Sequence, residues 1–355
     1  MMETETITFD SDGDLLLLLS CAVEEPEVEL SNDSAPVDLE KESQDGEETP
    51  PTPIRTKEVR MLVSSKHLIH VSVVFKAMLR NQNFKEGVEL ARGKAEVPLP
   101  DDDPTALRIL LYLIHHNYRK VPREVDLKTM TNIAILADKY QMTEVLYTHS
   151  EIWLKELKKT VPTSLTDDLL PWLAISCVFS LPPEFKHLTR IATMESSGFL
   201  EEQLDQELPI PNTVFAVIDT ERQRGLSEMF AVIQQSIDKY QAGPVNCQTK
   251  SFRHTDDVKK LNYACDGSVL GTLLKNAADK GLWPSVSPPY EGLTLRMVMK
   301  KAQSLNITAL CDHAQLKNEK EYEPGSNHGV KATITATVKK IKAGLGLNIR
   351  NFKSV

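Results

Sequence analysis

The sequence predicts a mixed α/β unit in the first half of the chain, followed by a mainly α-helical region. Three observations predict it. Apolar residues alternate with period two in short runs near residues 7–9, 59–63 and 97–99. In longer segments, most clearly after residue 103, they recur at i, i+3, i+4 and i+7, the spacing of one helix face. Finally, 355 residues of which 41% are hydrophobic suffice to bury the cores of two or three packing units.

Ile7 and Phe9 alternate with threonines, Asp12-Gly13 is a turn dipeptide, and Leu15 to Leu19 form an apolar run, which together read as a β-hairpin entering a core. Residues 22–56 are rich in Glu, Asp, Ser and Pro, with too little apolar surface to offset the entropy of ordering, and read as a disordered acidic insertion at about 21–57. In EVRMLVSS, Val59, Met61 and Val63 alternate as a strand. Ser72 then caps a helix bearing Val74, Phe75, Met78 and Leu79. Val97 and Leu99 alternate again. Asp103 at an N-cap with Pro104 at the first helical position opens a helix carrying Leu107, Leu110, Leu111 and Ile114 on one face. Residues 131–142 are apolar nearly all round and predict a core helix, continued over 143–157 by an amphipathic one with Leu146, Trp153, Leu154 and Leu157 as its apolar positions.

Beyond residue 160 a helix is expected from Asp167 and Asp168 to Phe179, a break at Pro182-Pro183, and another helix over 185–196. Residues 213–218 fit helix or strand, residues 226–240 form an amphipathic helix, and Gly243-Pro244 marks a boundary. The last helix places Ile334, Val338, Ile341 and Leu345 on one face and Lys339, Lys340 and Lys342 on or near the other. The expected division is therefore 1–157, 160–243 and 244–355.

The net charge of −9 is unevenly placed: residues 1–57 hold 16 acids against 3 bases, a net of −13, which leaves +4 for the remainder. No dense basic field is present, so nucleic-acid binding is not expected. The five cysteines are odd in number, widely spaced and without a CxxC pair, a pattern of reducing compartments. With an acidic first segment and no apolar run long enough to span a bilayer, an intracellular location, nuclear or cytoplasmic, is expected without membrane contact.

The run DGDLLLLLS, then EVRMLVSSKHLIHVSVVFKAMLRNQNFKEG, then EVPLPDDDPTALRILLYLIHHN, then ILADKYQMTEVL resembles the BTB/POZ family, particularly its fungal members. The resemblance covers roughly residues 7–157, and SVVFKAML and LADKY are its most specific pieces. Residues 250–313 resemble more loosely the helical C-terminal region that accompanies some fungal members. One departure is the acidic insertion, since the family joins the strands at 15–19 and 59–63 by a short turn. Loop closure grows only slowly in cost with length, so the pair tolerates it. The resemblance implies an α/β (α+β) domain, a small sheet capped by a helical cluster, whose surfaces dimerise or bind partners such as cullin-type ubiquitin ligases or transcriptional corepressors. Family members that homodimerise often carry a helix ahead of the first strand, which residues 1–6 do not supply.

P-loop, GxSxG, HExxH and complete GxGxxG motifs are absent, and Gly344-Leu345-Gly346 reads as a helix-end turn. No catalytic residues, no cofactor and no enzyme activity are therefore expected. Cys247, Cys265, Cys311 and His313 fall in one segment and are zinc-capable types, but only Cys311 and His313 are close in sequence, so buried thiols are favoured over a metal site. His115 and His116 end the best-defined helix, where the partial negative charge favours a protonated imidazole. The Asp101 to Asp103 run is accounted for by capping. Partner contact is expected at His115, His116, Asn117 and Tyr118 and at Trp153, on the grounds that Tyr and Trp anchor interfaces. The sequence thus favours a protein-binding adaptor or scaffold whose partner is a cullin-type ligase or a second copy. The alternative is a transcription-associated protein contacting DNA or corepressors through its C-terminal region.

Overall fold

In a computed structural model the chain divides into two compact units, Met1–Leu157 and Lys158–Val355. The structure describes residues 4–22, 56–81, 83–200, 208–248, 257–314 and 327–352. The expected acidic disordered insertion lies outside the described residues over 23–55, while its two ends belong to paired strands.

The first unit is mixed α/β. Strands β1 (Thr4–Thr8), β2 (Leu15–Ala22), β3 (Thr56–Val63) and β4 (Ala95–Pro98) form one sheet in the order β1-β3-β2-β4. β2 and β3 are antiparallel, with Leu15, Leu17 and Leu19 opposite Val63, Met61 and Val59, and all six side chains are buried. Period-two alternation puts these residues on a single face, which fixes the register, because a one-residue slip would turn every one of them outward. β1 runs parallel to β3, and β4 parallel to β2. The expected hairpin of the first two strands is therefore wrong in its pairing. The turn exists, with Gly13 N–H donating to Asp10 O at 3.1 Å, but β3 lies between β1 and β2. The long, mostly apolar β2 takes the more apolar partner, and β1, exposed on alternate residues, is left at the edge.

Helices α1 (Ser65–Val71), α2 (Val73–Arg80), α3 (Lys85–Ala91), α4 (Pro104–Ile114), α5 (Leu127–Lys139) and α6 (Tyr147–Leu157) complete this unit. Their starts follow local chemistry. Ser72 Oγ accepts from Phe75 N–H, Asp103 Oδ1 accepts from Ala106 N–H at 2.7 Å, and Asp126 Oδ1 accepts from Thr129 N–H at 2.7 Å. Helix α4 packs on β2, α1 and α5. The acidic run ahead of it divides its labour: Asp103 caps, whereas the Asp102 carboxylate is buried and accepts from Lys139 Nζ at 2.6 Å and Tyr140 Oη at 2.5 Å. Capping alone does not explain that run.

The second unit is helical: α7 (Leu169–Val178), α8 (Pro182–Glu195), α9 (Asn212–Gln241), α10 (Val258–Asp279), α11 (Leu295–Gln303), α12 (Leu310–Ala314) and α13 (Val330–Gly344). Pro182-Pro183, expected as a break, instead begins α8, since proline at the first helical positions lacks only a donor that would be orphaned there. Residues 213–218 belong to the single 30-residue α9, against which α8, α10, α11 and α13 all pack. A Cβ at Gly225 would come within 2.8 Å of Leu295 Cδ2, so glycine permits this close approach. Gly243-Pro244 does not separate two cores here, because Met229, Phe230 and Ile233 share one core with Val269, Val298 and Val338. Among the described residues no helix is long and apolar enough to cross a membrane.

Candidate partner cleft and a buried thiol cluster

The residues expected to meet a partner part company in the first unit. His115 closes α4 and is buried: Nδ1–H donates to Leu111 O at 3.0 Å, and Nε2 accepts from Ser64 N–H at 3.1 Å. Burial lowers its pKa below the ordinary histidine value, outweighing the Leu111 carbonyl, with the nearby His67 lowering it further. The expected protonated helix-end imidazole is therefore a neutral one, joining the α4 end to the β3–α1 connection. His116, in left-handed backbone (φ 60°), turns its Nδ1 to Tyr118 Oη at 2.9 Å, while Asn117 N–H closes the helix end on Tyr112 O.

Trp153 is 2% exposed and donates its indole N–H to Pro122 O at 2.9 Å, which makes it a wall of the core and not the surface anchor expected. Its neighbours supply the surface. The Tyr118 ring stacks on His149 with centroids 6.2 Å apart, and His149 in turn packs against Trp153 at 5.9 Å. Tyr118 and Ile152 remain about half exposed. Together with Val121, Pro122, Arg119 and Arg123 they line a cleft of about 410 Å³. His149, Ile152 and Trp153 occupy i, i+3 and i+4 of α6, so one helix face builds the floor. Exposed aromatic and aliphatic groups beside two guanidinium groups suit a partner segment that combines apolar and acidic side chains.

In the second unit the fold collects Cys247, Cys265, Cys311 and His328, whose ligand-type atoms all lie within 4.8 Å of one another. Cys247 precedes α10, Cys265 lies within it, Cys311 lies on α12, and His328 immediately precedes α13. The three cysteines are buried, and among the described residues no cysteine forms a disulfide. His328 Nε2 stands 3.5 Å from Cys265 Sγ and 3.4 Å from Cys311 Sγ. Cys311 N–H donates to Cys265 Sγ at 3.4 Å. Beneath the ring the Asp266 carboxylate accepts from Asn246 N–H at 2.6 Å and Cys247 N–H at 2.9 Å, holding that loop.

Burial pushes the Cys311 thiol up, and it lowers the His328 pKa despite the facing Asp266 carboxylate. The Tyr240 hydroxyl, whose ring packs 5.7 Å from His328, is pushed up to about 12 by burial and then by Asp266 and the thiols. Three of the sequence-derived metal candidates thus converge. The histidine among them is His328, not His313, whose side chain lies outside the described residues. No spacing rule marks His328. The available signal was His328-Gly329 before an amphipathic helix, a turn in which both residues adopt positive φ, 52° and 78°.

No protein-family model, curated protein or solved structure matches the chain.

Proposed function

We propose that the chain is a non-catalytic protein-interaction protein, a BTB/POZ-type adaptor or scaffold whose first unit binds a cullin-type ligase component through the Tyr118–Ile152 cleft. The observation that carries this reading is the cleft itself: half-exposed Tyr118 and Ile152 stand on a floor held rigid by the buried Trp153 and its bond to Pro122. Aromatic anchors on a preorganised support are what interface hot spots require, because little side-chain freedom is lost on binding. The antiparallel β2–β3 pairing across the acidic segment and the helical cluster on the sheet support the family resemblance. Arg119 and Arg123 at the rim favour an acidic partner surface and raise its rate of encounter.

Titration of the full chain with a recombinant cullin N-terminal domain tests the proposal, comparing wild type with Tyr118→Ala and Ile152→Asp. Both positions are surface sites, so circular dichroism should show the fold unchanged. Saturable binding that each substitution weakens by about tenfold or more is expected, the loss typical of an interface anchor. Binding that neither substitution alters, or no binding at all, overturns the assignment.

A further inference from the structure

We propose that Cys247, Cys265, Cys311 and His328 form a closed structural zinc site that ties the second unit together.

The distances fit a tetrahedron. Zinc lies about 2.3 Å from thiolate sulfur and about 2.05 Å from imidazole nitrogen, so tetrahedral angles put neighbouring nitrogen and sulfur about 3.6 Å apart and two sulfurs about 3.8 Å apart. His328 Nε2 already stands 3.5 and 3.4 Å from two of the sulfurs, and all four donor atoms fall within 4.8 Å. Three thiols packed only as small apolar groups would have no reason to gather an imidazole nitrogen between them. A buried histidine would instead direct both nitrogens to oxygen or nitrogen partners. Nδ1 of His328 is buried without a hydrogen bond and lies 3.5 Å from Asp266 Oδ1. A metal on Nε2 fixes the tautomer with the proton on Nδ1, and a small ring rotation would then aim that proton at Asp266, the carboxylate–histidine support common behind zinc ligands.

The surroundings also suit an anionic centre. Three thiolates and one divalent ion leave one negative charge, Cys311 N–H points at Cys265 Sγ, and the positive end of the 15-residue α13 begins two residues after His328. His328 is held at φ 52°, a conformation that a non-glycine residue retains only when its surroundings demand it. Soft sulfur donors with one imidazole and four protein ligands select zinc in a site without an open position, so the role is structural rather than hydrolytic. Cys265 and Cys311 are 46 residues apart and Cys311 and His328 are 17 apart, so the ion closes two long loops that the core alone would have to hold.

The test uses the full chain expressed with zinc in the medium. Elemental analysis should find one zinc per chain after extensive dialysis. Exchange into cobalt(II) should give the sulfur-to-metal charge-transfer band and intense visible bands of a tetrahedral thiolate complex, a readout that requires no variant to fold. Asp266→Asn should weaken zinc affinity tenfold to a hundredfold. His328→Ala should weaken it at least tenfold, and His328→Cys should restore it, whereas Cys177→Ser, outside the cluster, should leave one zinc bound. Substoichiometric zinc together with octahedral cobalt spectra overturns the site. So does a native disulfide among Cys247, Cys265 and Cys311 in mass spectra of the freshly purified, alkylated chain.

Discussion

Arg222 is buried in the first half of α9, 1% exposed, and its guanidinium holds a loop that arrives from almost seventy residues downstream. Nη1 donates to Tyr290 O at 3.2 Å and Leu293 O at 3.1 Å, Nη2 donates to Pro289 O at 3.0 Å, and Nε donates to Asp219 Oδ1 at 2.9 Å. Replacing it with methionine keeps most of the volume and removes every donor. Three carbonyls then lose a charged partner, at about 1 kcal/mol each at the lower end of the cost of a buried unsatisfied group. Asp219 is 20% exposed and keeps Gln223 Nε2 at 2.6 Å, so water and that amide absorb most of its loss. The expected destabilisation of the second unit is about 3–4 kcal/mol, within the range for breaking a buried ion pair. For a unit of this size that corresponds to roughly a 10 °C fall in its thermal midpoint. Arg222→Lys should recover less than half of this, because an ammonium cannot reproduce the planar fork. Differential scanning calorimetry on the full chain, following the transition of the second unit, provides the measurement. A midpoint for Arg222→Met within about 2 °C of wild type would refute the reasoning and mean that water reaches the loop carbonyls.

Two further outcomes follow from the first unit. Asp102→Ala strips the buried Tyr140 hydroxyl of its acceptor and Lys139 of its counter-charge, and should cost about 2–4 kcal/mol in urea unfolding of that unit, whereas Asp102→Asn, which keeps an acceptor for Tyr140, should cost under half as much; equal losses would show that the tyrosine bond is not what matters. His115 titrates below its ordinary value of 6.5 in the folded chain, so above pH 6.5 its neutral form contributes fully, and as the pH falls below 6.5 the unfolded chain takes up a proton that the folded one resists. Stability of the first unit should therefore decline from about pH 6.5 downward, by at most about 1.4 kcal/mol per pH unit from this group, and His115→Gln should flatten that part of the curve; identical pH dependence in wild type and variant would contradict it.

What the sequence reveals and what it conceals divide along chain distance. Helix α4 is legible because its cap, its proline and its apolar stripe lie within twelve successive residues, Asp103 to Ile114, and Ser72 capping α2 is equally local. The strands are legible one by one from their alternation, but their order is not. β1 lies against β3 and not against its nearer neighbour β2, an order set by the more apolar β3 taking the place beside β2 and not by any local signal in β1. Trp153 shows the same limit. An i, i+3, i+4 stripe says that His149, Ile152 and Trp153 share a face without saying which of them ends beneath the surface, and the bond to Pro122 decides that for the indole. Pro182-Pro183 carries two opposite meanings, helix stop and helix start, and only the chain's approach to α8 selects one. Three of the four thiol-cluster residues stand out by type. His328 joins them only because α13 packs on α9 and brings its own start beside α10 and α12.

Partner binding by the first unit is the proposal on which the assigned function rests. Light scattering coupled to size-exclusion chromatography of the full chain mixed with a cullin N-terminal domain tests it most directly. A single co-eluting peak, whose mass is the sum of both components and which separates into two peaks when Ile152→Asp replaces wild type, is the predicted result. Two independent peaks for the wild-type chain at tens of micromolar, well above the Kd of about 1 μM that a standard-sized specific interface commonly reaches, would contradict it.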